Sequence, residues 1–216
     1  MIHHIMENFG ESKRAYNVTR GQYSLAMALL KNSELGSNAK VLDIGAGMGE
    51  FASILTNKGF QVVCTDGAKH CHEHLLKNGF QSNLVDLEIE KLPFSGESFD
   101  LVVSIEVIEH LWNTEQYLSE IKRVLKPGGY FICTTPNYNH WRFRFDTLLG
   151  RFERFTYRSR HKKFYTTRSL PRELCEYFSI KKQLGLGWLP KTGIQFITRY
   201  FQNFLSVHTG VLCKKQ

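Results

Sequence analysis

The chain has 216 residues, is 42% hydrophobic, and carries 28 Lys and Arg against 20 Asp and Glu, a formal net charge of +8. That length suits one domain with a substantial core, and no apolar run approaches the ~20 residues a membrane-spanning helix needs, so no such helix is expected. Five cysteines (Cys64, Cys71, Cys133, Cys175 and Cys213) contain no C-x-x-C pair, which argues against a disulfide scaffold or zinc knuckle, and the first residues, with His3, His4 and Glu7, lack the apolar segment of a secretory signal, so a cytoplasmic protein is expected.

Residues 12–31 have helical character, with Tyr23, Ala26, Leu29 and Leu30 spaced to share one face. KVLDIGAGMGEF (Lys40 to Phe51) follows. Val41, Leu42 and Ile44 read as a buried parallel strand. Asp43, Gly45, Gly47 and Gly49 close it in a turn able to press its backbone against a ligand, and Phe51 to Leu55 starts a helix behind them. QVVCTD (Gln61 to Asp66) is a second strand, ending on a carboxylate 23 residues after Asp43. An acid at that tip can hold a ribose with two free hydroxyls, so the expected ligand is an adenosine derivative. A dinucleotide fingerprint would put glycine at position 50, where Glu50 stands, and nothing in the spacing requires a pyrophosphate on the helix start.

Further along, NLVDLE (Asn83 to Glu88) places Asp86 at a third strand end. A fourth strand, Leu101 to Ile105, is entered through Phe99 and Asp100. IKRVLKPGGYFICTTPN (Ile121 to Asn137) reads as a helix end, a Pro-Gly-Gly turn and a fifth strand, Tyr130 to Thr134. Helices are expected near residues 50–57, 68–78 and 114–125, with another over Thr167 to Phe178. Ser179 to Leu184 and Val207 to Cys213 complete the set as strands.

These motifs, in this order, resemble the class I S-adenosylmethionine-dependent methyltransferases. Within them the chain is most similar to the branch that holds ubiquinone-biosynthesis O-methyltransferases and many small-molecule and glycan methyltransferases. The resemblance is strongest over residues 40–136 and extends to about Gly185. It implies an α/β fold, a doubly wound seven-stranded sheet of order 3-2-1-4-5-7-6 with the last strand antiparallel and helices on both faces. It also implies one domain made of a helical lead (1–39), a cofactor-binding core (40–136), a basic aromatic insertion (137–172), and a C-terminal helix and strands (173–216). The cofactor implied is S-adenosyl-L-methionine. Carried over by position, Asp43 and the backbone of Gly45, Ala46 and Gly47 would face its methionine part. Asp66 would take both ribose hydroxyls, Asp86 the adenine amino group, and Leu87 would offer a backbone amide to the ring. Glu106 would border methionine and substrate, and the leading helix would bring Tyr16 and Arg20 over the cofactor.

The charge is concentrated in residues 142–172, where Arg142, Arg144, Arg151, Arg154, Arg158, Arg160, Lys162, Lys163, Arg168 and Arg172 face only Asp146 and Glu153; the remaining 18 bases and 18 acids cancel. An insertion after the fifth strand lies over the sheet edge where ligands bind in open α/β folds. Its bases are interleaved with Phe143, Phe145, Phe152, Phe155, Tyr157, Phe164 and Tyr165, which suits an anionic small molecule, a glycan or lipid-linked precursor, or a nucleic acid. A solvated basic surface with aromatics in the core is the plainer alternative. Ile194, Ile197, Phe201, Phe204 and Leu205 share one apolar helical face, which is expected to be core, with peripheral membrane contact as the other reading.

An oxygen acceptor needs a base, and His110 is the first candidate, followed by Glu109, His140 and His161. Asn137 and Tyr138 are placed to orient the acceptor. Glu106, Glu109 and His110 form E-x-x-E-H. In the small-RNA terminal 2'-O-methyltransferases that motif holds a divalent metal with a later histidine. Neither His140 nor His161 clearly matches that arrangement, so no metal is expected; His70 and His74, one helical turn apart, read as a solvated face. SIEV (Ser104 to Val107) stands where amino-methylating nucleic-acid enzymes carry an acid-or-Asn-Pro-Pro-aromatic run, and no Pro-Cys pair exists for cytosine C5 chemistry. Methyl transfer to an oxygen leads. An RNA methyltransferase or RNA-binding module, or an idle cofactor-binding partner, are the alternatives.

Overall fold

The computed structural model describes residues 13–151, 160–187 and 201–216, with side chains from residue 21 onward. Five strands run parallel: β1 (Lys40–Ile44), β2 (Gln61–Asp66), β3 (Gln81–Leu84), β4 (Phe99–Ile105) and β5 (Leu125–Pro136). Beyond them come β6 (Ser179–Gly187) and β7 (Ser206–Lys214); β7 is antiparallel to both neighbours, and the sheet order is β3-β2-β1-β4-β5-β7-β6, as the resemblance implies.

The central strands are buried on both faces, which is why Val41 and Leu42, or Leu101, Val102 and Val103, are consecutive apolar residues without alternation. The helices are α1 (Lys13–Leu30), α2 (Glu50–Thr56), α3 (Lys69–Lys77), α4 (Thr114–Val124), α5 (Trp141–Leu148) and α6 (Ser169–Leu174). Leu25, Ala26 and Leu29 of α1 and Phe51 and Leu55 of α2 pack on Val41, Leu101, Val103, Ile132 and Leu212 on one side of the sheet. Tyr117, Leu118 and Ile121 of α4 and Leu170 and Leu174 of α6 pack on Leu42, Ile44, Val102, Phe131 and Val211 on the other. A Cβ at Gly210 of β7 would lie 2.8 Å from Leu29 Cδ1, so glycine there lets α1 seat against the sheet.

Several boundaries differ from expectation. β5 starts at Leu125, and Lys-Pro-Gly-Gly is an irregularity inside it: Phe99 pairs with Leu125 and Leu101 with Tyr130. His110 does not open a long helix. It ends a 3-10 turn over Ile108–His110, and α4 begins only after Asn113, whose side chain accepts the Gln116 amide at 3.2 Å. The helix expected over Thr167 to Phe178 shrinks to α6. Thr166 and Ser169 exchange backbone-to-hydroxyl hydrogen bonds of 2.9 and 3.0 Å at its entry, and 3-10-type bonds from the amides of Glu176 and Tyr177 close it. Phe201 and Phe204, expected in the core, are 57% and 42% exposed; Ile194 and Ile197 lie outside the described residues.

Candidate active site

The C-terminal ends of β1, β2, β4 and β5 and the N-terminal end of the antiparallel β7 converge on one edge. At β1, the amides of Gly45 and Ala46 donate to the Thr65 carbonyl at 2.8 and 3.1 Å, which folds the turn over the tip of β2. Gly45 and Gly47 have φ of 69° and 56°. A Cβ on Gly45 would meet Val107 Cγ2 at 2.5 Å, whereas one on Gly47 would meet nothing within 4 Å. The turn therefore presses against the segment after β4 on one side and opens on a free space at Gly47.

Asp66 ties this arrangement together. Its Oδ2 accepts the Gly47 amide and its Oδ1 the Ala68 amide, both at 2.8 Å. Each oxygen keeps a second lone pair, so the residue can brace the turn and still receive a hydroxyl. Asp43, 2% exposed, has an Oδ2 with no hydrogen-bond partner. Burial, followed by the charge of Asp66, pushes its carboxyl up to about 7. Asp86 is exposed just beyond β3, with Oδ1 accepting the Glu88 amide at 3.0 Å, and Leu87 is half-buried against the core. From α1, Tyr23 reaches the same turn: its hydroxyl donates to Glu50 at 2.8 Å and its ring lies 5.4 Å from Phe51. Tyr16 and Arg20 belong to α1, but their side chains lie outside the described residues.

Glu106 follows β4 with φ of 58°, a conformation non-glycine residues rarely adopt. Its Oε1 accepts the Thr134 hydroxyl at 3.2 Å, and its Oε2 lies 3.2 Å from His208 Nδ1 at an angle that makes no hydrogen bond. Three residues on, Glu109 is fully buried with neither carboxylate oxygen hydrogen-bonded. Burial, with the neighbouring Glu106 charge, raises its carboxyl well above the usual range, offset slightly by the nearby Thr135 hydroxyl.

The insertion folds back onto this turn. The Glu109 carbonyl accepts the amides of Lys162 and Lys163 at 2.8 and 3.1 Å, Lys162 Nζ reaches Glu88, and Lys163 Nζ lies 3.5 Å from Glu173. His161 is thereby held beside His110, ring centroids 4.7 Å apart. Ligand atoms of Glu109, His110 and His161 all fall within 4.8 Å of one another. Burial lowers the pKa of His110, countered in part by the Arg160 carbonyl, and drives His161 down to about 4 with help from His110 and His208. Both rings are neutral at neutral pH.

His140 stands apart from the cluster: its Nδ1 accepts the Arg142 amide at 3.3 Å and caps α5. Asn137 is fully buried, with its side-chain amide donating to the carbonyls of Asn203 and Ser206 at 2.9 and 2.8 Å, so it fixes the backbone instead of orienting an acceptor. Tyr138 bonds His161 Nδ1. Sequence reasoning misses His208, which arrives through the antiparallel pairing of Pro136 with His208, and Glu88, which accepts the Trp112 and Asn113 amides as well as Lys162. The isolated acid in a turn gives no signal of either role.

Residues 42–133 match the family model described as "Methyltransferase domain". Residues 42–133 are an S-adenosylmethionine-dependent methyltransferase domain. The chain is 35% identical over 114 residues to a ubiquinone biosynthesis O-methyltransferase of Dinoroseobacter shibae, covering 51% of this chain and 46% of that protein. It thus spans under half the length of such relatives. Among solved structures it resembles a methyltransferase of Thermotoga maritima described as a possible histamine N-methyltransferase (TM-score 0.71, 21% identity, 99% of both chains). It also resembles phosphoethanolamine N-methyltransferase 2 of Haemonchus contortus in complex with S-adenosyl-L-methionine (TM-score 0.67, 18% identity, 89% of this chain and 52% of that one). At these identities the structures show the shared fold.

The donor used by this domain family, S-adenosylmethionine, fits what the β1 edge leaves open. The unpartnered Asp43 Oδ2 suits a cationic group such as an amino acid ammonium, the space at Gly47 admits close approach, and Asp66 retains acceptor capacity for ribose hydroxyls.

Proposed function

We propose that this chain transfers a methyl group from S-adenosylmethionine to an oxygen of a small-molecule, glycan or lipid-linked acceptor. The observation that carries the reading is the segment from Glu106 to His110. Val107 touches the position above Gly45 on the donor side, while Glu109 and His110 meet His161 on the other, so donor cradle and neutral imidazoles share one turn. The bound donor supplies an activated methyl on sulfur. Asp43, Gly47 and Asp66 hold and orient it, Glu106 borders it, and His110 takes the proton from the acceptor hydroxyl. The loop at 160–163 excludes water, held by Glu88 and the Glu109 carbonyl.

A lipid-linked or membrane-surface acceptor has support of its own. On α5 and the residue after it, Trp141, Phe145, Leu148 and Leu149 are 45%, 53%, 83% and 46% exposed at helical spacing, and Arg144 lies over Phe204, 5.7 Å from its ring centroid. Among the described residues no helix is long and apolar enough to cross a membrane, so such contact would be peripheral. RNA is less favoured, because Lys162 and Lys163 are already engaged by Glu88 and Glu173. Methyl transfer from radiolabelled S-adenosylmethionine to panels of hydroxylated small molecules, glycans, lipid-linked phenols and RNA tests this. Labelling of an oxygen, reduced in His110→Ala with donor affinity intact, is expected; labelling confined to RNA or to nitrogen would overturn it.

A further inference from the structure

We propose that His208, oriented by Glu106, is the base that takes the proton of the acceptor hydroxyl. This role rests on the oxygen methylation proposed above and moves the proton's destination from His110 to a residue on β7. Four imidazoles lie around the ends of β4, β5 and β7, and among the described residues only His208 of the four has an ion-pair contact with a carboxylate, its Nδ1 lying 3.2 Å from Glu106 Oε2. His110 Nδ1 faces the Arg160 carbonyl, His161 Nδ1 bonds the Tyr138 hydroxyl, and His140 Nδ1 accepts the Arg142 amide. Burial opposes a positive charge on each of those three rings, and their neutral partners do little to balance it. A carboxylate balances that charge directly, as the aspartate of a Ser-His-Asp triad does.

His208 is 6% exposed, and its Nδ1 has no hydrogen-bond partner because the Glu106 contact is off line. Buried polar atoms are normally satisfied, and hydrogen bonds that serve catalysis are often misaligned until the substrate is bound. A small rotation of the ring brings Nδ1–H onto Oε2 and leaves the Nε2 lone pair free to accept a proton.

Glu106 is pinned to β5. Its amide donates to the Thr134 carbonyl at 3.0 Å and its Oε1 accepts the Thr134 hydroxyl at 3.2 Å, which holds the left-handed backbone at a φ of 58°. Thr134 pairs with Gly210 and Pro136 with His208, so Thr134 and His208 project from the same face of the sheet and the carboxylate spans them. The next residue, Val107, abuts Gly45 of the donor turn, which puts the pair beside the donor cradle. In the transfer, His208 Nε2 takes the hydroxyl proton, the oxygen lone pair forms the new C–O bond, and sulfur keeps the pair of the broken C–S bond; the imidazolium then gives its proton to water. His110 and His161 are left to hydrogen-bond the acceptor.

The test uses the full chain. Long-range proton–nitrogen NMR of the imidazole rings, with His208 identified by its absence from His208→Asn, should show the neutral ring carrying its proton on Nδ1, and Glu106→Gln should alter that signal. Asparagine keeps an N–H donor near the position of Nδ1 but is no base, so a merely structural role would survive His208→Asn. Radiolabelled methyl transfer to the oxygen acceptor found among hydroxylated small molecules, glycans and lipid-linked phenols should instead fall about 100- to 10,000-fold in kcat, with acceptor KM and S-adenosylhomocysteine affinity close to those of the parent. Glu106→Gln should lower kcat as well, by favouring the wrong tautomer of His208. A neutral ring protonated on Nε2, or parent-like kcat in His208→Asn, would overturn the base and leave oxygen methylation standing. A parent that labels no oxygen would overturn both, and is told apart because the parent itself fails. If His208→Asn does not fold, the parent's tautomer and the kcat of Glu106→Gln decide the matter, with His208 then identified by sequential assignment.

Discussion

Replacing Asp43 with Asn should stabilise the ligand-free protein in a pH-dependent way while weakening donor binding. Burial and the Asp66 charge lift the Asp43 carboxyl from 3.8 to about 7. The folded chain therefore holds this proton where the unfolded chain has released it, and from this group stability falls as pH rises from about 4 to about 7. At ~1.4 kcal/mol per pH unit the full gap is worth about 4 kcal/mol above pH 7, an upper bound because the site relaxes around the charge. For a chain of this size that equals a rise of up to about 8–16 °C in midpoint. Thermal unfolding of parent and Asp43→Asn between pH 4.5 and 8.5 should show curves that converge at the acid end and separate above neutrality. With S-adenosylhomocysteine present the order should reverse at pH 8, since the carboxylate then has its cationic partner. A midpoint difference independent of pH, or a parent more stable than the variant at pH 8 without ligand, would refute the reasoning.

Asp66→Ala removes the acceptor of two backbone amides, and urea unfolding should show a loss of about 2–4 kcal/mol together with loss of donor binding. Gly45→Ala puts a Cβ 2.5 Å from Val107 Cγ2 at a φ of 69°, and should cost about 1–3 kcal/mol. Adding Val107→Ala should restore part of that by removing the clash and not the strain, as read from the unfolding midpoint. Glu88→Gln weakens the hold on Lys162, so limited proteolysis should cut after Arg160, Lys162 and Lys163 faster and acceptor turnover should fall, with S-adenosylhomocysteine affinity unchanged.

The sheet and the turn that closes β1 were legible because their signals are local. Strands buried on both faces read as continuous apolar runs, the tight β1 turn demands glycine, and Asp43, Asp66 and Asp86 lie at or just past strand ends. The cluster on the turn after β4 depends on contacts between distant segments. His161 is 51 residues beyond His110, and its placement comes from two amides meeting the Glu109 carbonyl, which leaves no periodicity in the sequence. His208 likewise joins Glu106 only through the register of β7 on β5. His140 was chosen as a candidate base from its residue type, which gives no sign that its Nδ1 caps α5. The apolar stretch near the end misled for a related reason: spacing shows that Phe201 and Phe204 share a face, but not whether anything covers it.

Calorimetric titration of the full chain with S-adenosylhomocysteine, beside Asp66→Ala, tests the central claim most directly. One equivalent bound by the parent, with the heat lost in the variant, is the predicted result. A folded parent that gives no heat, or a variant that binds as well as the parent, would contradict a donor site at the ends of β1 and β2.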